Sequence, residues 1–346
     1  MSTAWLVVGP PDHGVVILAE QLMPHLGSPA VHRARDTAEL GARLDDRCGG
    51  GIDEAIDTAH VHFTDRLFGA DCQAAARAYV ELAGRLAGRG IRLAVTLHDL
   101  PADPEDPPRY RRRTQAYAAV VGATTGPVIV SSEHEAHLSR AFCPRTRPVV
   151  IPLPIDAVRQ PAMPPAASEP TADVTVFGYL YPGKGHRRAL EALAGLRPEV
   201  GLTVLGRVAD GHADLAAELR VRAAELGRRL TVTGWLAERD VLPRLRAAGI
   251  PLVGHERMSA SGSIGSWLAA GRRPLVPDVS YTRELSQRCP GAVTTYAPTR
   301  SGLSEALARA DADPLSTWLA SDVALGPSSA AVALAYRDAV GAEPLG

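Results

Sequence analysis

The sequence predicts an α/β protein made of two successive parallel-sheet domains. Three observations carry this reading. Short, continuously apolar runs such as "AWLVVG" (4–9) and "IRLAVTLHD" (91–99) recur between helix-like stretches. Strands apolar on both faces belong to parallel sheets covered by helices on each side. The alternation stops over residues 155–172 and then restarts. Finally, 346 residues with 46% hydrophobic content exceed what one core ordinarily organises.

The elements follow in order. "AWLVVG" reads as a buried strand and "GVVILAEQLMPHL" (14–26) as an apolar-faced helix. Next come a strand "AHVHF" (59–63), a helix around 72–88, the strand 91–99 and a helix around 109–122. "PVIVSS" (127–132) is a strand, 133–141 a helix and "PVVIPLP" (148–154) a strand. Residues 155–172, rich in Pro and Ala and without periodicity, read as an interdomain linker. The second series has strands at 173–180, 201–206, 229–236, 250–255 and 273–277. Helices over 185–196, 212–227, 238–249, 262–270 and 301–310 alternate with them. The domains expected are therefore 1–154 and 173–325, with a final helix in 326–346 packing across their junction.

Bulk properties narrow the function. A formal net charge of −1 gives no support to a nucleic-acid partner. The basic "RYRRR" (109–113) follows the acidic "ADPEDPP" and reads as a solvated helix face. Cys48, Cys72, Cys143 and Cys289 are scattered without C-x-x-C spacing, as for reduced thiols rather than a zinc site or disulfide frame. The first residues lack a basic region and a long apolar run, and no stretch approaches a membrane span. A soluble cytoplasmic protein is expected. Lys184 is the single lysine among 37 basic residues. Arginine bias explains the others; it does not explain this exception.

In open parallel sheets, ligands bind beyond the carboxyl ends of the strands. "VVGPPDHGVV" lacks a G-x-G-x-x-G fingerprint, yet Gly14 at the helix start permits close backbone approach. "VTLHDLP" sets His98 and Asp99 at the end of a buried strand. "FGYLYPGKGHRRALEAL" holds Lys184 between two glycines ahead of a helix, where an ammonium suits phosphate. "SASGSIGSWLAAG" opens a helix with Ser259, Ser261 and Ser263 around Gly262. These serines can simply cap the helix, or the loop can cradle an anion on its N–H groups.

Taken in order, "AHVHF", "VTLHDLP", "VIVSSEHEAHL", "VVIPLPID", "FGYLYPGKGHRRALEAL", "LTVLG", "LTVTGWL" and "LAAGRRPLVPD" resemble the GT-B glycosyltransferases, in particular glycosyltransferase family four. The resemblance implies two Rossmann-like domains with parallel sheets facing across a cleft. It implies transfer of a hexose from a nucleoside-diphosphate sugar to a saccharide hydroxyl, with retention of configuration and without a metal or other cofactor. Lys184 matches the family's phosphate-binding lysine, His98 the histidine near the donor sugar, and Gly14 the glycine loop beside it. Two departures stand out. Tyr179 occupies the position of a family arginine, and Met258 and Ser266 fall where two glutamates are usual; Glu256, two residues earlier, is a candidate substitute. Tyr179, Glu256, Ser261, Gly262, Ser263 and Ser266 complete the expected donor site with Gly14 and Lys184. The chain is similar to soluble mannosyltransferases of mycobacterial methylmannose polysaccharide assembly, which favours GDP-mannose, with UDP-glucose next. Binding of a nucleotide sugar without transfer, and epimerisation of one, are the rival readings.

Overall fold

The computed structural model describes residues 2–27, 29–45, 56–102, 106–156, 172–255 and 257–342. Two compact units result: Met1–Leu153 with Ser329–Gly346, and Pro154–Ser328. Most of the expected linker, 157–171, lies outside the described residues.

The first unit holds a six-stranded sheet of β1 (Thr3–Val8), β2 (Ala30–Ala34), β3 (Thr58–Phe63), β4 (Arg92–Leu97), β5 (Val128–Val130) and β6 (Val149–Val150). Their order is β2-β1-β3-β4-β5-β6, every pairing parallel. All six residues of β3 are buried, as a strand covered on both faces requires. Val61, Phe63, Leu93, Val95 and Ile129 form the centre of the core. Asp71 and Ser132 cap the helices Cys72–Ala87 and Glu133–Phe142, accepting from Ala74 N at 2.8 Å and Glu135 N at 3.0 Å. The helix Ser329–Gly341 belongs to this unit. Its buried Tyr336 packs edge-on against Trp5 with centroids 5.9 Å apart.

The second unit repeats the plan with β7 (Val174–Phe177), β8 (Leu202–Leu205), β9 (Leu230–Val232), β10 (Ile250–Leu252), β11 (Leu275–Pro277) and β12 (Thr294–Tyr296). The order is β12-β11-β10-β7-β8-β9, again all parallel. Two buried polar side chains fasten it. Asp173 accepts from Gly201 N (2.8 Å), Thr203 Oγ1 (2.8 Å) and Arg229 (2.5 Å), tying the starts of β7, β8 and β9 together. Arg272, 1% exposed, donates to the carbonyls of Leu245, Arg246, Ala248, Gly249 and Thr317 and to Thr317 Oγ1. Its guanidinium lies 4.3 Å from the Trp318 ring centroid. Several of these carbonyls end the helix Glu238–Arg246, where a cation suits the helix dipole.

The strands β2 and β12 and the helices Thr37–Asp45 and Ser280–Arg288 were not evident from the sequence pattern. Both strands are sheet edges, where "AVHRA" and "TTY" are only partly buried and need no continuous apolar run. Among the described residues no helix is long and apolar enough to cross a membrane.

Candidate functional site

In each sheet the strand order reverses once, between β1 and β3 and between β7 and β10. Loops leaving neighbouring strands at such a point diverge to opposite faces and open a crevice beyond the carboxyl ends. The candidate residues cluster at these two places, one set in each unit.

In the first unit, His98 follows β4 and is 7% exposed. Its amide donates to Phe63 O at 2.9 Å, and its carbonyl accepts from the Tyr117 hydroxyl at 2.7 Å. Asp99 next to it has φ of 51° and is the one non-glycine residue with positive φ among the described residues. That conformation costs an L-residue about 1–2 kcal/mol. Contacts on both sides hold it: Thr64 Oγ1 donates to its carboxylate at 3.1 Å, and Arg113 to its carbonyl at 2.5 Å. Arg113 is itself paired with Asp65 at 2.8 Å. The strained turn fixes the backbone that carries His98.

Behind His98 lies a buried aromatic and histidine network. The Nδ1 of His62 and the Nε2 of His98 are 2.9 Å apart, and their rings stack at 5.2 Å. The Nε2 of His60 is 2.8 Å from Thr96 Oγ1, which donates to Tyr336 OH at 3.2 Å. Burial holds all three histidines neutral, with His98 pushed down to about 4, His60 to about 3 and His62 well below the ordinary value. On the other side, His13 caps the helix Gly14–Leu22 by accepting from Val15 N at 3.2 Å. Burial lowers its pKa, while Asp99 opposes the shift. A Cβ at Gly14 would meet no atom within 4 Å, so packing of the unit does not dictate the glycine.

In the second unit, Lys184 sits in the turn between β7 and the helix His186–Ala192 and is 6% exposed. Burial pushes its ammonium down to about 8. Its Nζ lies 5.6 Å from the Tyr181 ring centroid, and no described carboxylate pairs with it. A Cβ at Gly185 would overlap the Gly254 carbonyl, so the β7 turn and the end of β10 meet backbone to backbone. This contact brings Lys184 and His186 alongside His255. Neither ring nitrogen of buried His186 has a partner, nor has Nδ1 of His255. Burial, with Lys184 adding repulsion, lowers both imidazoles to about 3. Buried polar groups are ordinarily satisfied. The buried ammonium of Lys184, with two neutral imidazoles that have so few partners beside it, forms a seat suited to an anion.

Tyr179 carries the Arg207 guanidinium over its ring at 5.1 Å. Ser261 is the N-cap residue of the helix Gly262–Ala269, but its hydroxyl caps none of the helix N–H groups. Instead it pairs with Ser263 Oγ at 3.0 Å. A Cβ at Gly262 would meet no atom within 4 Å. Ser266 Oγ donates to Gly262 O at 3.2 Å. Glu256 lies outside the described residues.

Sequence reasoning thus located His98 and Gly14 at one crevice and Tyr179, Lys184, Ser261, Gly262, Ser263 and Ser266 in the other unit. It missed His13, His62, His186, His255 and Arg207. A signal for His62 was present, since His60 and His62 in "AHVHF" are two apart and share one face of β3. Among the described residues no group of three His, Cys, Asp or Glu side chains is arranged to hold a metal ion.

No protein-family model and no curated protein matches the sequence. Solved structures do. HepE from Anabaena in complex with UDP-glucose is similar at TM-score 0.68 and 16% identity, over 98% of this chain and 95% of that one. Sucrose-phosphate synthase from Thermosynechococcus elongatus is similar at TM-score 0.65 and 17% identity, over 97% and 94%. AviGT4, a glycosyltransferase involved in avilamycin A biosynthesis, is similar at TM-score 0.55 and 16% identity, over 97% and 96%. With two parallel six-stranded sheets and these neighbours, the chain has the GT-B fold.

Proposed function

We propose that this protein transfers a hexosyl group from a nucleoside-diphosphate sugar to a hydroxyl of a saccharide acceptor, with retention of configuration and without a metal. The observation that carries the reading is the buried ammonium at the switch point of the second sheet. The chain's single lysine is buried there beside His186 and His255, none of them paired with a described carboxylate. Lys184 and the first N–H groups of the helix Gly262–Ala269 hold the diphosphate in this reading. Arg207, stacked on Tyr179, supplies the guanidinium that the sequence lacks at position 179.

The chemistry is a displacement at the anomeric carbon. The bond to the leaving phosphate oxygen breaks as the acceptor oxygen attacks from the same face, and the acceptor's proton passes to that phosphate. Lys184 stabilises the charge gathering on the leaving group. No carboxylate base is required. His98 hydrogen-bonds a hydroxyl of the sugar or acceptor.

The resemblance in sequence favours GDP-mannose, whereas the HepE structure contains UDP-glucose and makes glucose the first alternative. Thermal shift with UDP-glucose and GDP-mannose, followed by transfer to saccharide acceptors, tests the proposal. Stabilisation by one donor, product of retained configuration, and a larger loss of turnover than of nucleoside-diphosphate binding in His98→Ala are expected. No response to any nucleotide sugar would refute it. The absence of a carboxylate at Ser266 favours a second reading, binding without transfer. That reading is distinguished by donor-induced stabilisation with no product from any acceptor.

A further inference from the structure

The hydrogen bond between His62 and His98 constrains which nitrogen of each ring carries the proton. Two neutral imidazoles 2.9 Å apart share one proton between the facing nitrogens. The other nitrogen of His62, Nε2, is buried and has no partner. A buried N–H is left unmatched more rarely than a lone pair is. His62 therefore carries its proton on Nδ1 and donates it to His98 Nε2.

The neighbouring histidine follows the same rule. Thr96 Oγ1 spends its proton on Tyr336, so His60 must donate from Nε2, and its buried Nδ1 is left as a bare lone pair. In both rings the unmatched atom is the acceptor.

His98 is then determined. Its Nε2 accepts from His62, so its own proton resides on Nδ1. Unlike His62 Nε2, that nitrogen is not among the sealed, unpartnered atoms, and the ring makes no other side-chain hydrogen bond among the described residues. It is the atom His98 offers to its surroundings.

We propose that His62 is a positioning residue that locks His98 as the Nδ1–H tautomer, making His98 a hydrogen-bond donor to a sugar or acceptor oxygen and not a general base. The donor role rests on the proposed function; the tautomer does not. A donor is what the same-face displacement needs, since the leaving phosphate takes the acceptor's proton.

The test is two-bond ¹⁵N–¹H correlation of the imidazoles in the ligand-free protein, with His98 assigned by its loss in His98→Ala. The parent should show His98 protonated at Nδ1. His62→Asn, whose amide N–H₂ replaces the Nδ1–H donor, should keep that pattern and most of the turnover. His62→Leu should let an Nε2–H form of His98 appear. It should also lower kcat by about tenfold, as loss of an orienting partner does, with little change in KM for the donor sugar nucleotide. An Nε2–H His98 in the parent, or an unchanged Nδ1–H pattern in His62→Leu, would overturn the proposal. Parent turnover in His98→Ala would instead refute the functional reading and with it the donor role, while the spectra would still decide the tautomer.

Discussion

The ammonium of Lys184 lies directly against the Cα of Gly178: a Cβ built there would come within 2.5 Å of Nζ. Gly178 has φ of 102°, a conformation that glycine adopts freely and other residues do not. One glycine therefore both turns the chain at the end of β7 and leaves the space that the lysine occupies. Gly178→Ala should push Nζ out of its place. Donor binding is expected to weaken by about tenfold or more, since roughly 1.4 kcal/mol of lost interaction is tenfold in affinity. Titration calorimetry measures this; unchanged affinity with a folded variant would show that the position of Nζ is immaterial.

The loop ahead of the helix Gly262–Ala269 makes a separate prediction. Open space surrounds the Cα of Gly262, and the Ser261 hydroxyl at the N-cap bonds none of the helix N–H groups. Gly262→Val should therefore leave the melting temperature nearly unchanged and abolish binding of the donor by obstructing approach to the amides. Donor affinity equal to the parent's would eliminate the cradle.

Protonation gives a third. The ammonium of Lys184 is pushed down to about 8 by burial, and an anion beside it raises that value again. Donor binding should thus take up protons and weaken as pH rises through about 8. Calorimetry in buffers of different ionisation enthalpy reads the uptake directly, and zero uptake at pH 8 would contradict it. Stability follows the same linkage with its own sign. The imidazoles of His60, His186 and His255 are lowered from 6.5 to about 3, so between those values the unfolded chain binds more protons. Stability should therefore fall as pH drops below about 6.5. Flat melting temperatures from pH 7 to pH 4.5 would contradict these burials.

Much of the fold was legible because burial on both faces leaves a plain record in sequence. The strand "AHVHF" is fully buried, and so is "LAVTL" in its neighbour. The edges β2 and β12 were not, since one exposed side relaxes the need for apolar residues. At the site, Lys184 stood out through its chemistry alone. The partnership of His62 with His98 could not be read, because it depends on the parallel register that sets His62 opposite Thr96. Nor could Arg207, which reaches Tyr179 only through the adjacency of β7 and β8.

The buried guanidinium of Arg272 yields a prediction about stability alone. Its donors serve carbonyls from two segments and its plane covers Trp318. Lysine has three donors and no planar face. Arg272→Lys should cost about 2–4 kcal/mol, the range for breaking a buried, charge-assisted network. Urea unfolding measures it, and a loss below about 0.5 kcal/mol would place the arginine outside the set of residues that hold this unit together.

The account turns on Lys184 as the seat of the donor's diphosphate. Titrating the better bound of UDP-glucose and GDP-mannose into the parent, Lys184→Ala and Lys184→Arg tests it most directly. The compact ammonium lies against the Cα of Gly178, and a guanidinium is planar and wider. Lys184→Ala is expected to bind about tenfold more weakly or worse, and Lys184→Arg to recover only part of the loss. Melting temperatures should be nearly unchanged in both. Parent affinity in Lys184→Ala would contradict the account.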